Sequence, residues 1–202
     1  MRKLIAVVVP LIFAVLIAGC AKAPEQELST AKAILDSART AEADKYVTAE
    51  FNAAHDSLNA AIAEIEKQNT GSALTRNYDK AKAMLASASS LAKSAQAKAQ
   101  TEKQRMQAEV DTLLGKTSAM ITETKDLLSK APKGKEGKAA LEAIGTEIST
   151  VEASVGEAQA MKTNGDLAGA QGKLNAGIAK LDSINVELNT AIEKASVKTK
   201  KK

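Results

Sequence analysis

Small and apolar residues recur three and four positions apart along most of the chain, the spacing that draws one stripe along an α-helix and, when sustained near 3.5, a coiled-coil seam. Leu28, Ala31, Leu35 and Ala38 form a first stripe, and Val47, Phe51, Ala54, Leu58, Ile62 and Ile65 a second. The third is the longest: Tyr78, Ala81, Leu85, Ala88, Ala92, Ala95 and Ala99, then, beyond a polar gap from Glu102 to Arg105, Met106, Val110, Leu113, Met120, Thr124 and Leu127. Leu141, Ile144, Ile148, Val151, Val155 and Ala158 make a fourth, and Leu167, Ala170, Leu174, Ile178, Leu181, Leu188 and Ile192 a fifth.

Turn and cap chemistry separates the stripes. Asn69-Thr70-Gly71 and Asn164-Gly165-Asp166 predict two tight αα-hairpins, because Gly or Asn accepts the left-handed residue after a helix and Thr or Asp caps the next one. Pro132, with Gly134 and Gly137, breaks the chain again, since proline cannot continue a helix interior. A further break falls near Asp44-Lys45.

Together these features predict an all-α fold of five helices. The third, from Leu74 to Leu128, would be about 80 Å long at 1.5 Å per residue. The expected architecture is an elongated antiparallel helical bundle or coiled coil. Its two three-helix halves, residues 27–100 and 101–197, would share the long central helix, with the polar gap as the waist. Pairing of the alanine-rich seam with another copy, a homo-oligomer, is the alternative.

The first residues carry a different pattern. Arg2 and Lys3 precede a nearly unbroken apolar run from Leu4 to Ala18, which is short for a membrane span of roughly 20 residues and has the layout of a cleavable export signal. Leu16-Ile17-Ala18-Gly19-Cys20 resembles the lipobox of bacterial lipoproteins. That resemblance implies removal of residues 1–19, joining of diacylglycerol to the Cys20 thiol, fatty acyl (palmitate) chains on that cysteine, and a lipidated linker over residues 20–26. In that class an aspartate after the cysteine marks inner-membrane retention. Here Ala21 and Lys22 follow, so the expected address is the outer membrane, facing the periplasm, with the inner membrane or cell surface left open. Cys20 is the only cysteine, so it cannot form a disulfide within the fold.

Composition narrows the function classes. Without Arg2 and Lys3 the chain has 26 basic and 24 acidic residues, a near balance that gives no reason to expect nucleic acid as a partner. Aromatics are 2% of residues and Trp is absent, so the core must be built from Ala, Leu, Ile, Val and Met. Such a core suits helices packed closely side by side.

Candidate chemistry is sparse. His55-Asp56-Ser57 has the residue types of a catalytic triad, but successive helical residues point about 100° apart and cannot relay a proton among themselves. His55 is the only histidine, which leaves zinc without a plausible ligand set. Gly115-Lys116-Thr117 echoes the end of a phosphate-binding loop, yet Val110 stands where its first glycine belongs. Tyr46, Phe51 and Tyr78 read as plugs at bundle ends. No catalytic residue, metal ligand or cofactor is expected, and the chain does not read as an enzyme.

Ala41-Glu42-Ala43-Asp44-Lys45-Tyr46, Glu50-Phe51 and the regularly spaced Ala and Leu from Glu27 to about Leu114 resemble an uncharacterised family of Ala-rich helical domains in bacterial envelope lipoproteins. Val47-Thr48 departs from the Ala-Pro that the family would place after the tyrosine. The resemblance implies an envelope address and a helical fold. It supplies no activity and no site residue.

The chain ends in a basic tail, residues 198–202, where Lys198, Lys200, Lys201 and Lys202 have no compensating acid. They complement the negative end of the last helix dipole and are candidates for contact with cell wall or anionic lipid surfaces. A helical lipoprotein ending in lysine is also similar to the Braun-type lipoproteins, which are joined to peptidoglycan through a terminal lysine. Two function classes follow. The preferred one is a non-catalytic, lipid-anchored envelope scaffold or spacer touching peptidoglycan or another envelope protein. The other is a binding module or accessory subunit that presents an inter-helix groove to a hydrophobic ligand or a translocating substrate.

Overall fold

The structure is a computed structural model that describes residues 21–132 and 137–200, the last three by backbone alone. Among the described residues there are six α-helices and no strand: α1 (Glu25–Thr40), α2 (Ala43–Tyr46), α3 (Thr48–Thr70), α4 (Asp79–Lys130), α5 (Lys138–Thr163) and α6 (Leu167–Lys200). The expected all-α class, with one long helix contributing to two three-helix halves, is what the chain adopts. The division into compact units falls between Lys103 and Gln104, inside the polar gap of the third stripe.

The first unit packs α1, α3 and the first half of α4, with α2 as a single turn between α1 and α3. Ion pairs fix the directions: Lys80 meets Glu64 and Lys98 meets Glu50, so α3 runs antiparallel to α4. The predicted stripes form the core. From α4 come Ala81, Leu85, Ala88, Ala92, Ala95 and Ala99, each at most 3% exposed. Ala31, Leu35 and Ala38 of α1 meet them, together with Phe51, Ala54, Leu58 and Ile65 of α3. Alanine adds little radius, and interhelical distance follows the side chains at the contact, so this seam brings three backbones close together.

The second unit uses larger side chains. Ile144, Ile148 and Val151 of α5 pack with Leu181, Ile184 and Leu188 of α6 against Ile121 of α4. Two threonines on the same stretch of α4, Thr117 and Thr124, are fully buried as well. Their hydroxyls donate 2.7 and 2.8 Å bonds to the Leu113 and Met120 carbonyls one turn back. Each thus presents a valine-like shape with its polar atom satisfied within its own helix.

Three boundaries differ from the sequence expectation. The break near Asp44-Lys45 contains a turn of helix of its own, entered through Glu42 in the left-handed region at φ 60°. Gly71 is extended at φ −78° and ψ 170°, and residues 71–78 form an eight-residue connection, so the first hairpin is not tight and α4 starts at Asp79 rather than Leu74. The linker expected over residues 20–26 overlaps the first turn of α1, where Glu25 and Glu27 complement the positive helix terminus.

The other hairpin is as tight as its sequence implies. Gly165 takes φ 80°, its N–H donates to the Lys162 carbonyl, and the Asp166 N–H donates to that of Met161. This is the Schellman pattern that satisfies the last carbonyls of a helix. Asp166 then caps α6 by accepting the Gly169 N–H at 3.0 Å.

Candidate functional site

The residues that sequence reading singled out for lipidation and surface contact lie at the edges of the structure. Cys20, Lys201 and Lys202 are outside the described residues, whereas Lys198 and Lys200 belong by backbone to the end of α6. The chain is described from Ala21 onward, and from there it is held against the first unit: Ala23 packs on the core and Pro24 is buried.

One end of the first unit is built from four segments: residues 21–24, the last turn of α3, the 71–78 connection and the first turn of α4. Ala21 and Lys22 line a small polar pocket of about 240 Å³ with Arg76, Asn77, Tyr78, Asp79 and Lys82. The connection is pinned from α3. The Arg76 guanidinium donates to the Asn69 carbonyl at 2.7 Å, the Asn77 N–H donates to the Gln68 side-chain oxygen at 3.1 Å, and the buried Tyr78 hydroxyl donates to Asn69 Oδ1. Asn77 Oδ1 then accepts the Asp79 N–H at 2.7 Å, opening α4. Between these pins a turn closes from the Thr75 N–H to the Ser72 carbonyl at 3.0 Å, and it carries Leu74 at 88% exposure.

One buried carboxylate supports the same end. Glu64, 8% exposed, accepts from the Gln68 amide at 2.9 Å and from Lys80 Nζ at 3.0 Å. The Gln68 hydrogen bond first, then that of Lys80, holds the carboxyl below its ordinary range. The stripe pattern missed Glu64, although its spacing from Gln68 is the one at which helical side chains meet.

At the opposite end of the first unit, Lys103 of α4 ion-pairs with Glu42, and both Lys45 and Lys103 stand over the Tyr46 ring, 5.3 and 5.9 Å from its centroid. Phe51 is buried beneath Arg39, whose guanidinium lies 5.4 Å from the ring centroid. The three aromatics thus close bundle ends.

The triad-like residues form no three-residue relay: His55 Nδ1 lies 3.9 Å from an Asp56 carboxylate oxygen, but Ser57 turns away to α4. His55 faces Asn59 across 3.2 Å, while the Ser57 hydroxyl donates to the Met84 carbonyl on α4 at 3.3 Å. Thr117 of the Gly115-Lys116-Thr117 segment is buried in mid-helix. Among the described residues no three His, Cys, Asp or Glu side chains are grouped to hold a metal ion, and no helix is long and apolar enough to cross a membrane.

Grooves run along both units. In the second, Val151 and Ser154 of α5 face Gly169, Gly172, Ala176 and Gly177 of α6 across an open furrow of about 550 Å³. In the first, the start of α3 and residues 97–102 of α4 enclose about 690 Å³ with a mixed polar and apolar lining. Comparison with protein-family models, with curated proteins and with solved structures finds no match for this chain.

Proposed function

We propose that this chain is a non-catalytic, lipid-anchored scaffold of the bacterial envelope, held to the periplasmic face of the outer membrane by acyl chains on Cys20. Its helical units, and the lysines at its end, would engage peptidoglycan or another envelope protein. The observation that carries the reading is the use of the apolar stripes. Every helix longer than one turn directs its stripe into a core, and the large exposed apolar residues among those described are single: Leu74, Leu91, Val186 and Val197. A module built to bind a hydrophobic ligand would be expected to keep a contiguous apolar patch. The lipobox-like Leu16 to Cys20 and the close hold on residues 21–24 favour the anchor.

The deciding experiment joins fatty-acid labelling with fractionation. Wild-type protein should incorporate label and fractionate with outer membrane, and Cys20→Ala should do neither while remaining helical. A Cys20→Ala protein that stayed with outer membrane after a high-salt wash would overturn the anchor. Crosslinking in intact cells, with and without Lys198 to Lys202, would then identify what the units touch. Cosedimentation with purified peptidoglycan that is lost on deleting these lysines, and weakened by salt, would assign them an electrostatic contact.

A further inference from the structure

A solitary exposed leucine is ordinary, but Leu74 is not placed at random. The connection that carries it has both flanks fixed by Gln68, Asn69 and Asn77, while its tip turns outward through the Ser72–Thr75 bond. That tip lies at the end of the first unit to which the chain start is tied, because Lys22 shares a pocket with Arg76 and Lys82. Two residues of chain span at most about 7 Å, so whatever Cys20 carries is tethered beside this end. Arg76 and Lys22 supply cations there, partly offset by Asp79 in the same pocket.

We infer that the 71–78 connection is a membrane foot: Leu74 enters the interfacial layer of the bilayer that holds the Cys20 acyl chains, and Lys22 and Arg76 meet phospholipid phosphates. This rests on the reading that Cys20 is acylated. Acyl chains alone would leave the first unit free to swivel on its tether. The foot gives it a second point of contact, and two points restrict tilt. The leucine supplies depth and the cations hold the headgroup level, the division of labour seen where apolar and basic residues meet a lipid surface.

The chain contains no tryptophan, so a single one reports its surroundings without background. Leu74→Trp and, as a control on the flank of α4, Leu91→Trp would be made in the full chain, purified from membranes in acylated form and reconstituted into phosphatidylethanolamine/phosphatidylglycerol vesicles with and without brominated acyl chains. The expected result is blue-shifted emission from residue 74, quenched by bromine, with residue 91 unquenched. Vesicles that carry the protein while residue 74 stays water-exposed would overturn the foot and leave the anchor standing. Protein that does not float with vesicles would overturn the anchor and the foot together. A blue shift that grows with protein concentration in the absence of vesicles would make a second copy the occupant and overturn the proposal. In the acylated Leu74→Trp chain on the same vesicles, Lys22→Gln should reduce the blue shift and the bromine quenching of residue 74, because one basic residue near an anionic surface is removed. Unchanged quenching would remove Lys22 from the contact.

Discussion

Lys103 of α4 donates to the carboxylate of Glu42, a residue 61 positions earlier whose backbone sits in the left-handed region. The pair ties the α1–α3 corner to the long helix at the far end of the first unit. The Lys103 hydrogen bond holds the Glu42 carboxyl below its ordinary value of 4.5, and the same bond raises Lys103 above its ordinary 10.5.

The sign of each shift fixes a pH window. A lowered carboxyl pKa contributes stability that is present above the ordinary value and lost as pH falls through the folded one. A raised lysine pKa contributes stability that is present below the ordinary value and lost as pH rises through the folded one. The pair should therefore contribute fully at neutral pH and fade only in acid below about 4.5 and in alkali above about 10.5. Both side chains are more than a third exposed, so its worth is about 0.2 to 1 kcal/mol. Urea unfolding of Lys103→Met against wild type should show that loss at pH 7 and little difference at pH 3. An equal difference at both would assign the effect to packing.

The same corner separates backbone strain from charge. Glu42→Gln keeps the left-handed cost and loses the ionised carboxylate, whereas Glu42→Gly loses the carboxylate but removes a cost of about 1 to 2 kcal/mol for a side chain in that region. Glu42→Gly should melt at least as high as Glu42→Gln. A lower midpoint for the glycine variant would show that chain entropy in the unfolded state outweighs the strain.

The alanine seam makes the first unit sensitive to added volume. Ala92 and Ala95 are fully buried in the core of the first unit, and leucine has nearly alanine's helix propensity, so Ala92→Leu tests packing almost alone. Overpacking should cost about 1 to 3 kcal/mol. Leu85→Ala, which removes the large side chain from that face of α4, should cost about 2 to 5 kcal/mol through the cavity it leaves. If Ala92→Leu were neutral by thermal unfolding, the helices would not be as close as the seam requires.

The stripes were legible because each helix here is amphipathic on its own, so a local period of three and four reports burial directly. Ile184 and Ala61 extend the predicted stripes, and both are buried. What local pattern could not supply was the course of residues 71–78. Ser72-Ala73-Leu74-Thr75 contains nothing that forbids a helix, and it is held out of one by partners on α3, Gln68 and Asn69. The neighbourhood of Lys22 and Arg76 was hidden for the same reason: 54 positions separate them, and only the return of α3 antiparallel to α1 brings them together. Thr117 and Thr124 show the converse, polar residues in core slots made acceptable by a hydroxyl bond one turn back.

Glycines give the last test, because the structure assigns them opposite roles. Gly115 and Gly172 lie in helix interiors, and a Cβ built on either meets nothing within 4 Å. Alanine there should stabilise by about 0.5 to 1 kcal/mol, since it narrows the unfolded ensemble and costs no contact. Gly165 also has open space around it, yet its φ of 80° belongs to the Schellman turn that joins α5 to α6. Gly165→Ala should destabilise by about 1 to 2 kcal/mol, the left-handed penalty with no steric clash added. Asparagine, which visits that region more readily, should recover part of the loss. Asp166→Ala removes the cap bond to Gly169 and should cost about 0.5 to 2 kcal/mol through a different term. Because the two residues share one turn, the double variant should fall short of the sum, as neighbouring sites do. Circular dichroism melts of the wild type and these variants decide the matter. A Gly165→Ala midpoint equal to wild type would mean that the α5–α6 turn closes by another route.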